Sequence, residues 1–102
     1  MKHVEINGDT ATIHVAGRFD LLRTMEVMQE VSMAFSSNGC TKVSVDFADT
    51  TYIDSSAIRD LIKLYRKVKS DNFVVRNATG EVYYALYAGK LDTLWNLKPP
   101  MA

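Results

Sequence analysis

The sequence predicts a single small α/β domain in which helices pack on a mixed, mostly parallel β-sheet. Three observations lead to this prediction. An Asn-Gly pair separates two short strand-like runs at the start, two later segments have helical apolar spacing, and β-branched runs alternate with the helices. Strands joined through helices are parallel neighbours in one sheet. The predicted order is therefore ββαβαβαβ, with a core that is parallel apart from the opening hairpin.

The opening hairpin is predicted from two runs and the turn between them. HVEI (3–6) and ATIHVAG (11–17) flank Asn7 and Gly8. An Asn-Gly pair between strand-like segments is the strongest short hairpin signal, because both residues accept the positive φ of the tight turn. We expect an antiparallel pair of strands here.

The first helix is predicted from Leu21 to Ser37. Apolar residues recur at spacings of three and four, with charged residues between them. The residues expected to face the core are Leu21, Met25, Met28, Val31 and Phe35. The methionines are interpreted as core filler. Asn38 and Gly39 tolerate a left-handed conformation and end the helix.

The remaining elements follow the same reasoning. We predict strands over 42–47, 73–77 and 94–97 and helices over 55–69 and 79–88. In the helix over 55–69, the most regular of the chain, the apolar positions are Ile58, Leu61, Ile62, Tyr65 and Val68. Trp95, near the last strand, is expected in the core, with an exposed partner anchor as the alternative.

Composition limits the classes of function. The chain has 102 residues, 47 % hydrophobic and 24 % charged, which predicts one globular domain over 1–102 with a frayed tail at 98–102. The formal net charge is zero, which argues against nucleic acid or an anionic membrane as partner. The apolar runs are too short to insert in a membrane and no leader pattern is present, so we expect a cytoplasmic protein. A lone Cys40, expected to be buried or half-buried, excludes an intrachain disulfide.

The segment YIDSSAIR (52–59) places a polar triplet between a strand-like run and the helix over 55–69. Asp54 is at the N-cap position, where its carboxylate accepts from backbone N–H groups of the first turn. A helix cap alone is a sufficient explanation of the triplet. The alternative is a switch, because a serine in a first helical turn is accessible to a kinase and a phosphate there meets free N–H groups.

Enzymatic and metal-binding alternatives are poorly supported by the residues. A Ser-His-Asp arrangement would need a histidine near the triplet, but His14 alternates with apolar neighbours and is expected to face solvent. Asp46, Asp49 and Asp54 lack the spacing of a calcium loop and are interpreted as solvated charges. Phosphate-cradling glycine loops are absent from the sequence. We therefore expect no enzyme activity, cofactor or metal.

VSVDFADTTYIDSSAIRDLIKLYRKVKS (43–70) resembles the signature stretch of STAS domains, the fold of anti-sigma factor antagonists. The family pattern is a strand ending in Asp, a short loop, an apolar residue, Asp-Ser-Ser-Gly and an amphipathic helix. VAGRFD (15–20) resembles the exit of the family's second strand. The resemblance covers almost the whole chain, including the order of elements. Ala57 stands where the family has Gly.

The resemblance implies a phosphorylation switch in a partner-switching pathway. Ser55 corresponds to the phosphorylated serine, with Ser56 as the alternative. The unphosphorylated domain would bind a serine kinase that is also an anti-sigma factor, of the histidine-kinase-like ATPase fold. Phosphorylation would release that kinase, and a serine phosphatase would restore binding. The output would be transcription or another process of a bacterial cell.

The same resemblance implies which residues form the switch surface. Asp54, Ser56, Ala57 and Arg59 accompany Ser55, and Asp20 matches the acidic residue at the second-strand exit. Asp49 is expected near the same end of the sheet. We call six residues the switch surface: Asp20, Asp49, Asp54, Ser56, Ala57 and Arg59. The alternative function is a constitutive, non-phosphorylated STAS subunit, as in bacterial lipid-import ABC transporters.

Overall fold

Six strands and four helices make up the part of the chain that the structure, a computed structural model, describes, residues 1–99. The strands are β1 (Val4–Asn7), β2 (Thr10–His14), β3 (Gly17–Phe19), β4 (Lys42–Asp46), β5 (Thr50–Ile53) and β6 (Phe73–Arg76). The helices are α1 (Leu21–Asn38), α2 (Ser55–Val68), α3 (Gly80–Ala88) and α4 (Leu91–Leu94). A 3₁₀ turn over Ser70–Asn72 joins α2 to β6.

The main sheet has the order β1-β2-β4-β6. The β1–β2 hairpin is antiparallel, and the other two strand pairs are parallel. Ile13, Val45 and Val75 are register neighbours across the three parallel strands, and Ile13 and Val45 are almost completely buried. The prediction of an α/β domain with a mixed, mostly parallel sheet is confirmed.

A second, two-stranded parallel sheet, β3 with β5, was not predicted from the sequence. Its strands are three and four residues long, too short for a periodic pattern. Gly17 begins β3 with φ of 82°, and the Thr50 hydroxyl donates to the Val15 carbonyl at 2.6 Å. This small sheet leads directly into both long helices, because α1 follows β3 and α2 follows β5.

Helix α1 presents a different face to the core from the one predicted. Its buried residues are Thr24, Val27, Val31 and Ala34. The predicted core positions Leu21 and Met25 are wrong, since both side chains are exposed, whereas Met28 and Phe35 are partly buried against the core. Helix α1 carries apolar residues on more than one side, so its spacing alone did not fix its rotation.

This correction gives a stability prediction. Met25→Ala is expected to change the free energy of unfolding by less than about 0.5 kcal/mol, because the side chain is exposed. Val27→Ala, two residues along on the buried face, is expected to cost about 2 kcal/mol for lost burial and the cavity left behind. Urea unfolding of the two variants measures the difference. A larger loss for Met25→Ala than for Val27→Ala would contradict this orientation of α1.

The predicted last strand at 94–97 is wrong. The segment forms the short helix α4 and a following turn, so that Leu91 and Trp95, four residues apart, both point into the core. The Trp95 ring lies 5.3 Å from Phe73 and 6.3 Å from Tyr65, centroid to centroid. Trp95 is therefore a core residue, as expected. Of the predicted frayed tail at 98–102, residues 100–102 lie outside the described residues.

The predicted second strand, 11–17, is too long, because β2 ends at His14 and Gly17 begins β3. The other predicted elements agree with the structure to within one or two residues. Gly39 ends α1 in the left-handed conformation with φ of 69°, and Gly89 follows α3. Cys40 is buried. None of the helices within residues 1–99 combines the length and the apolar character needed to cross a bilayer.

Candidate functional site

The first turns of α1 and α2 lie side by side. Strands β3 and β5 are parallel neighbours, with Phe19 opposite Ile53, and each leads into its helix through one aspartate. Asp20 is the N-cap of α1 and Asp54 is the N-cap of α2. The backbone N–H of Asp54 also donates to the Phe19 carbonyl at 3.2 Å. Two positive helix ends and two carboxylates therefore share one corner of the domain.

The Asp54 carboxylate serves both helices at once. Its Oδ1 accepts from the Ala57 backbone N–H at 3.0 Å, which is the N-cap bond of α2. Its Oδ2 accepts from the Leu21 backbone N–H at 3.0 Å, in the first turn of α1. Free N–H groups at helix starts need acceptors, and here one side chain supplies two of them. Asp54 thus fixes the position of one helix start against the other.

Asp20 has a more local role. Its Oδ1 accepts from the Arg23 backbone N–H at 3.1 Å, and its carbonyl accepts from Thr24 at 2.8 Å. It lies beside Asp54, since Leu21 follows it directly and is bonded to the Asp54 carboxylate. The structure therefore brings Asp20 to the start of α2, as the resemblance implied.

The three residues after Asp54 differ in exposure. Ser55 is exposed, Ser56 is half-buried and Ala57 is completely buried. The Ser55 hydroxyl is therefore the more accessible of the two for a modifying enzyme. Ala57 packs inward and does not contribute to the surface, so its assignment to the switch surface is corrected by the structure. The methyl group of Ala57 faces the core, and only the neighbouring residues can contact a partner.

Arg59 lies one helical turn after Ser55 on the exposed side of α2. Side chains four residues apart in a helix are surface neighbours, so the guanidinium can reach a group bound to the Ser55 hydroxyl. Within residues 1–99 Arg59 forms no ion pair with an acidic side chain. It is a cation next to the serine that is not already neutralised by the fold.

Asp49 is not part of this corner. It precedes β5, whereas Asp54 follows it, so about 13 Å of strand separates them. The Asp49 carboxylate bonds His14 Nε2 at 2.9 Å, and its carbonyl accepts from Gly17 at 2.8 Å. The expectation that Asp49 lies near Asp54 is therefore corrected. Asp49 belongs to the end of β2, where it orients His14.

Polar groups at the carboxyl ends of β4 and β6 also interact. The Asn77 side-chain amide donates to Asp46 Oδ1 at 2.9 Å and the Ala48 backbone N–H does so at 3.0 Å. The Asn77 bond, followed by the Ala48 bond and the charge of Arg76, holds the pKa of Asp46 below its ordinary value. In residues 1–99, His, Cys, Asp and Glu side chains nowhere gather in threes as a metal site would need.

Neither His3 nor His14 contacts Ser55 or Ser56. His14 bonds Asp49, and the His3 ring lies 3.2 Å from Glu26 Oε1 on α1. That contact, together with the nearby Lys2 and Arg23, lowers the pKa of Glu26. The geometry around Ser55 therefore lacks the base that activates a serine nucleophile.

Sequence reasoning missed an exposed apolar cluster beside the serine. Leu21, Leu22 and Met25 are 56 %, 63 % and 59 % exposed. We call these three residues the apolar corner. It adjoins Asp54 through the Leu21 backbone bond. Neighbouring exposed apolar side chains of this size are typical of contact surfaces. The adjacent pair Leu21-Leu22 could have indicated this cluster, because two successive residues of a helix cannot both lie on a narrow buried face.

Comparison with known proteins identifies the family. The model of the family described as "Mlab, STAS domain" matches residues 3–97, nearly the whole chain. The chain belongs to this STAS family. The resemblance inferred from the Asp-Ser-Ser segment is thereby confirmed at the level of the family. No curated protein matches the STAS chain by sequence.

Solved STAS structures share the fold. The unphosphorylated form of the anti-sigma factor antagonist SpoIIAA has a TM-score of 0.68 at 16 % identity, over 98 % of this chain and 86 % of that one. SpoIIAA from Bacillus in its phosphorylated form has a TM-score of 0.72 at 16 % identity, over 97 % and 90 %. A putative anti-sigma factor antagonist from Thermotoga maritima has a TM-score of 0.76 at 17 % identity, over 97 % and 85 %. At these identities the likeness concerns the fold.

Proposed function

We propose that this STAS domain is a protein-binding module that is switched by phosphorylation of Ser55. The unphosphorylated form binds and sequesters a serine kinase that acts as an anti-sigma factor or a similar regulator in the bacterial cytoplasm. That kinase has the histidine-kinase-like ATPase fold. It transfers the γ-phosphoryl group of ATP to the Ser55 oxygen, which loses its proton, and ADP leaves. A serine phosphatase hydrolyses the phosphate and restores binding. The module itself catalyses no reaction.

The observation that carries this proposal is the exposed Ser55 hydroxyl at the start of α2, between Asp54 and Arg59. A phosphate there would carry a charge of about −1.5 to −2 into a site with free helix N–H groups and an unpaired guanidinium, which favours it. Asp54 and Asp20 oppose it, but both carboxylates already accept backbone bonds. The phosphate therefore changes the surface and leaves the fold intact. The shared fold with SpoIIAA, which has a phosphorylated form, supports the same reading.

The test is in vitro phosphorylation of the full chain by candidate kinases of this class from the same organism, with ATP and mass mapping of peptides. We expect one phosphate on Ser55 in the wild type and in Ser56→Ala, and none in Ser55→Ala. Ser56→Ala is the matched control because it removes the neighbouring, less exposed hydroxyl. Equal labelling of Ser55→Ala and wild type would refute the site.

A second candidate function is a constitutive subunit of a lipid-import ABC transporter that binds its partner without phosphorylation. The observation in its favour is the description of the matching family, which names Mlab and not an anti-sigma factor antagonist. Replacement of the family glycine by the buried Ala57 gives no reason to prefer either candidate. In this case the wild type would remain unlabelled by every kinase tested, and partner binding would be insensitive to ATP.

A further inference from the structure

The exposed side of α2 has charges of one sign. The helix contains four cationic side chains, Arg59, Lys63, Arg66 and Lys67, and one carboxylate, Asp60, so four minus one gives a net charge of +3. The whole chain has a formal net charge of zero. Charge is therefore segregated on this molecule, and α2 is its basic element. A segregated charge of this kind attracts surfaces of the opposite sign.

The fold does not neutralise these cations. All four are exposed, and within residues 1–99 none of them forms an ion pair. The one carboxylate of the helix, Asp60, instead accepts from the buried Thr24 hydroxyl of α1 at 3.0 Å. Ser55, Arg59, Lys63 and Lys67 follow one another at four-residue intervals along one side of α2. We call Arg59, Lys63 and Lys67 the basic stripe, and it begins one turn after the proposed phosphorylation site.

An apolar groove runs beside this stripe, between α1 and α2. One part, about 180 Å³ in volume, is lined by Met28, Phe35 and Leu64, with Lys63, Lys67 and Asp60 as its charged residues. The Lys67 ammonium lies 5.4 Å from the centre of the Phe35 ring. The groove continues into a wider part of about 670 Å³ that includes Leu22 and Met25 of the apolar corner and shares Met28 and Asp60 with the first. Glu26 also lines this part, and its carboxylate pairs with Arg23 at 3.2 Å.

The two helices that border the groove are parallel to each other. Near their starts they are joined by Asp54 with Leu21 and by Asp60 with Thr24, and near their ends by Lys67 with Phe35. A concave apolar channel between two helices has the shape that a third helix fills when its side chains enter the channel. Methionine side chains at such a surface adapt to the partner's shape.

We propose that this groove binds an amphipathic helix of the partner protein, with the helix's apolar stripe on Met25, Met28 and Phe35 and its carboxylates facing the basic stripe of α2. The inference rests on the proposed function, because it describes the partner that Ser55 phosphorylation releases. A Ser55 phosphate at the head of the stripe competes with the partner's carboxylates for Arg59 and repels them. The partner is therefore acidic where it meets α2.

The first probe is a synthetic helical peptide of about 18 residues, five turns, made of Leu, Ala and Glu, with leucines on one face and glutamates beside them. Titrated into isotopically labelled full-length protein, it is expected to shift the NMR signals of the Met25 and Met28 methyl groups and of the Arg59 and Lys63 amides. A peptide of the same composition with its leucines spread around the helix is expected to leave them unchanged. Shifts confined to another surface would overturn the proposal.

Charge reversal tests the stripe. Lys63→Glu is expected to weaken peptide binding at least about fivefold, since it replaces an attraction by a repulsion. Lys90→Glu is the matched control, an exposed lysine before α4 whose reversal changes the net charge equally, and it is expected to bind like the wild type. Equal weakening by the two variants would show nonspecific attraction and overturn the proposal.

A lipid surface is the competing partner, and vesicles containing phosphatidylglycerol test it. We expect no cosedimentation of the protein with these vesicles at physiological salt. Cosedimentation that depends on Lys63, without peptide binding, would replace the proposed helix by a membrane. Once phosphorylation has identified the kinase, its binding to Lys63→Glu can be measured. If Lys63→Glu bound the kinase as tightly as the wild type and still released it on Ser55 phosphorylation, the groove proposal would be refuted and the switch proposal would not. Peptide binding without any Ser55 phosphorylation would refute the switch alone.

Discussion

Asp54→Ala is expected to lower the free energy of unfolding by about 2–4 kcal/mol, an unusually large effect for a helix cap. A single N-cap replacement costs about 1 kcal/mol, and a hydrogen bond to a charged group contributes about 1.5–3 kcal/mol. The Asp54 carboxylate makes one such bond to α2 and a second to α1, both at 3.0 Å. Urea unfolding monitored by circular dichroism measures the loss.

Two variants separate the cap from the bridge. Asp20→Ala removes the capping side chain of α1 alone and is expected to cost about 1 kcal/mol. Asp54→Asn keeps one carbonyl oxygen as acceptor and is expected to lie between Asp54→Ala and the wild type. If Asp54→Ala were no more destabilising than Asp20→Ala, the bond between Asp54 and Leu21 would contribute nothing measurable to stability.

Phosphorylation of Ser55 is expected to weaken binding of the partner kinase at least about a hundredfold, because like charges brought together in an interface cost several kcal/mol. Ser55→Asp, with a single negative charge, is expected to produce a smaller loss in the same direction. The thermal transition should stay near that of the wild type, since a negative charge in the first turn of a helix is favourable. Isothermal titration calorimetry and differential scanning calorimetry give the two quantities.

Ser55→Asn is the control for this experiment, because it has nearly the size of Asp without its charge. It is expected to bind the partner within a few-fold of the wild type. Equal weakening by Ser55→Asn and Ser55→Asp would mean that shape, and not charge, governs release. An unfolded Ser55→Asp variant would instead assign Ser55 a structural role at the helix start.

In the proposed function, the corner around Asp54 combines a structural role and a switching role in adjacent residues. The buried side of the corner, Asp54 and Ala57, holds the helix starts together. On the exposed side are Ser55 and Arg59, and within residues 1–99 Arg59 forms no ion pair. A charge can therefore be added to the exposed side without breaking the bonds of the buried side. This separation is why we expect a phosphate on Ser55 to alter binding and leave folding unchanged.

Much of the fold was predictable because its signals are local. The hairpin turn, formed by Gly8 and Asp9 directly after Asn7, the Gly39 helix end and the spacing of apolar residues in α2 all depend on residues close together in the chain. The N-cap role of Asp54 toward α2 is of the same kind, since donor and acceptor are three residues apart. The Asp-Ser-Ser segment and VAGRFD (15–20), in this order of elements, together indicated the STAS family.

The rest of the site depends on contacts between residues far apart in the chain. The pairing of β3 with β5 brings Leu21 to Asp54 across 33 residues. The packing of α1 on the core leaves Met25 exposed and buries Val27. Likewise, the segment near Trp95 became a helix because its two large apolar residues lie four apart beside an existing aromatic cluster. Local sequence determined the longer elements, the two main helices above all, and identified Asp54 as a helix cap. Only the packing of elements decided which side chains share a surface, because burial is gained from the whole core and not from the segment itself.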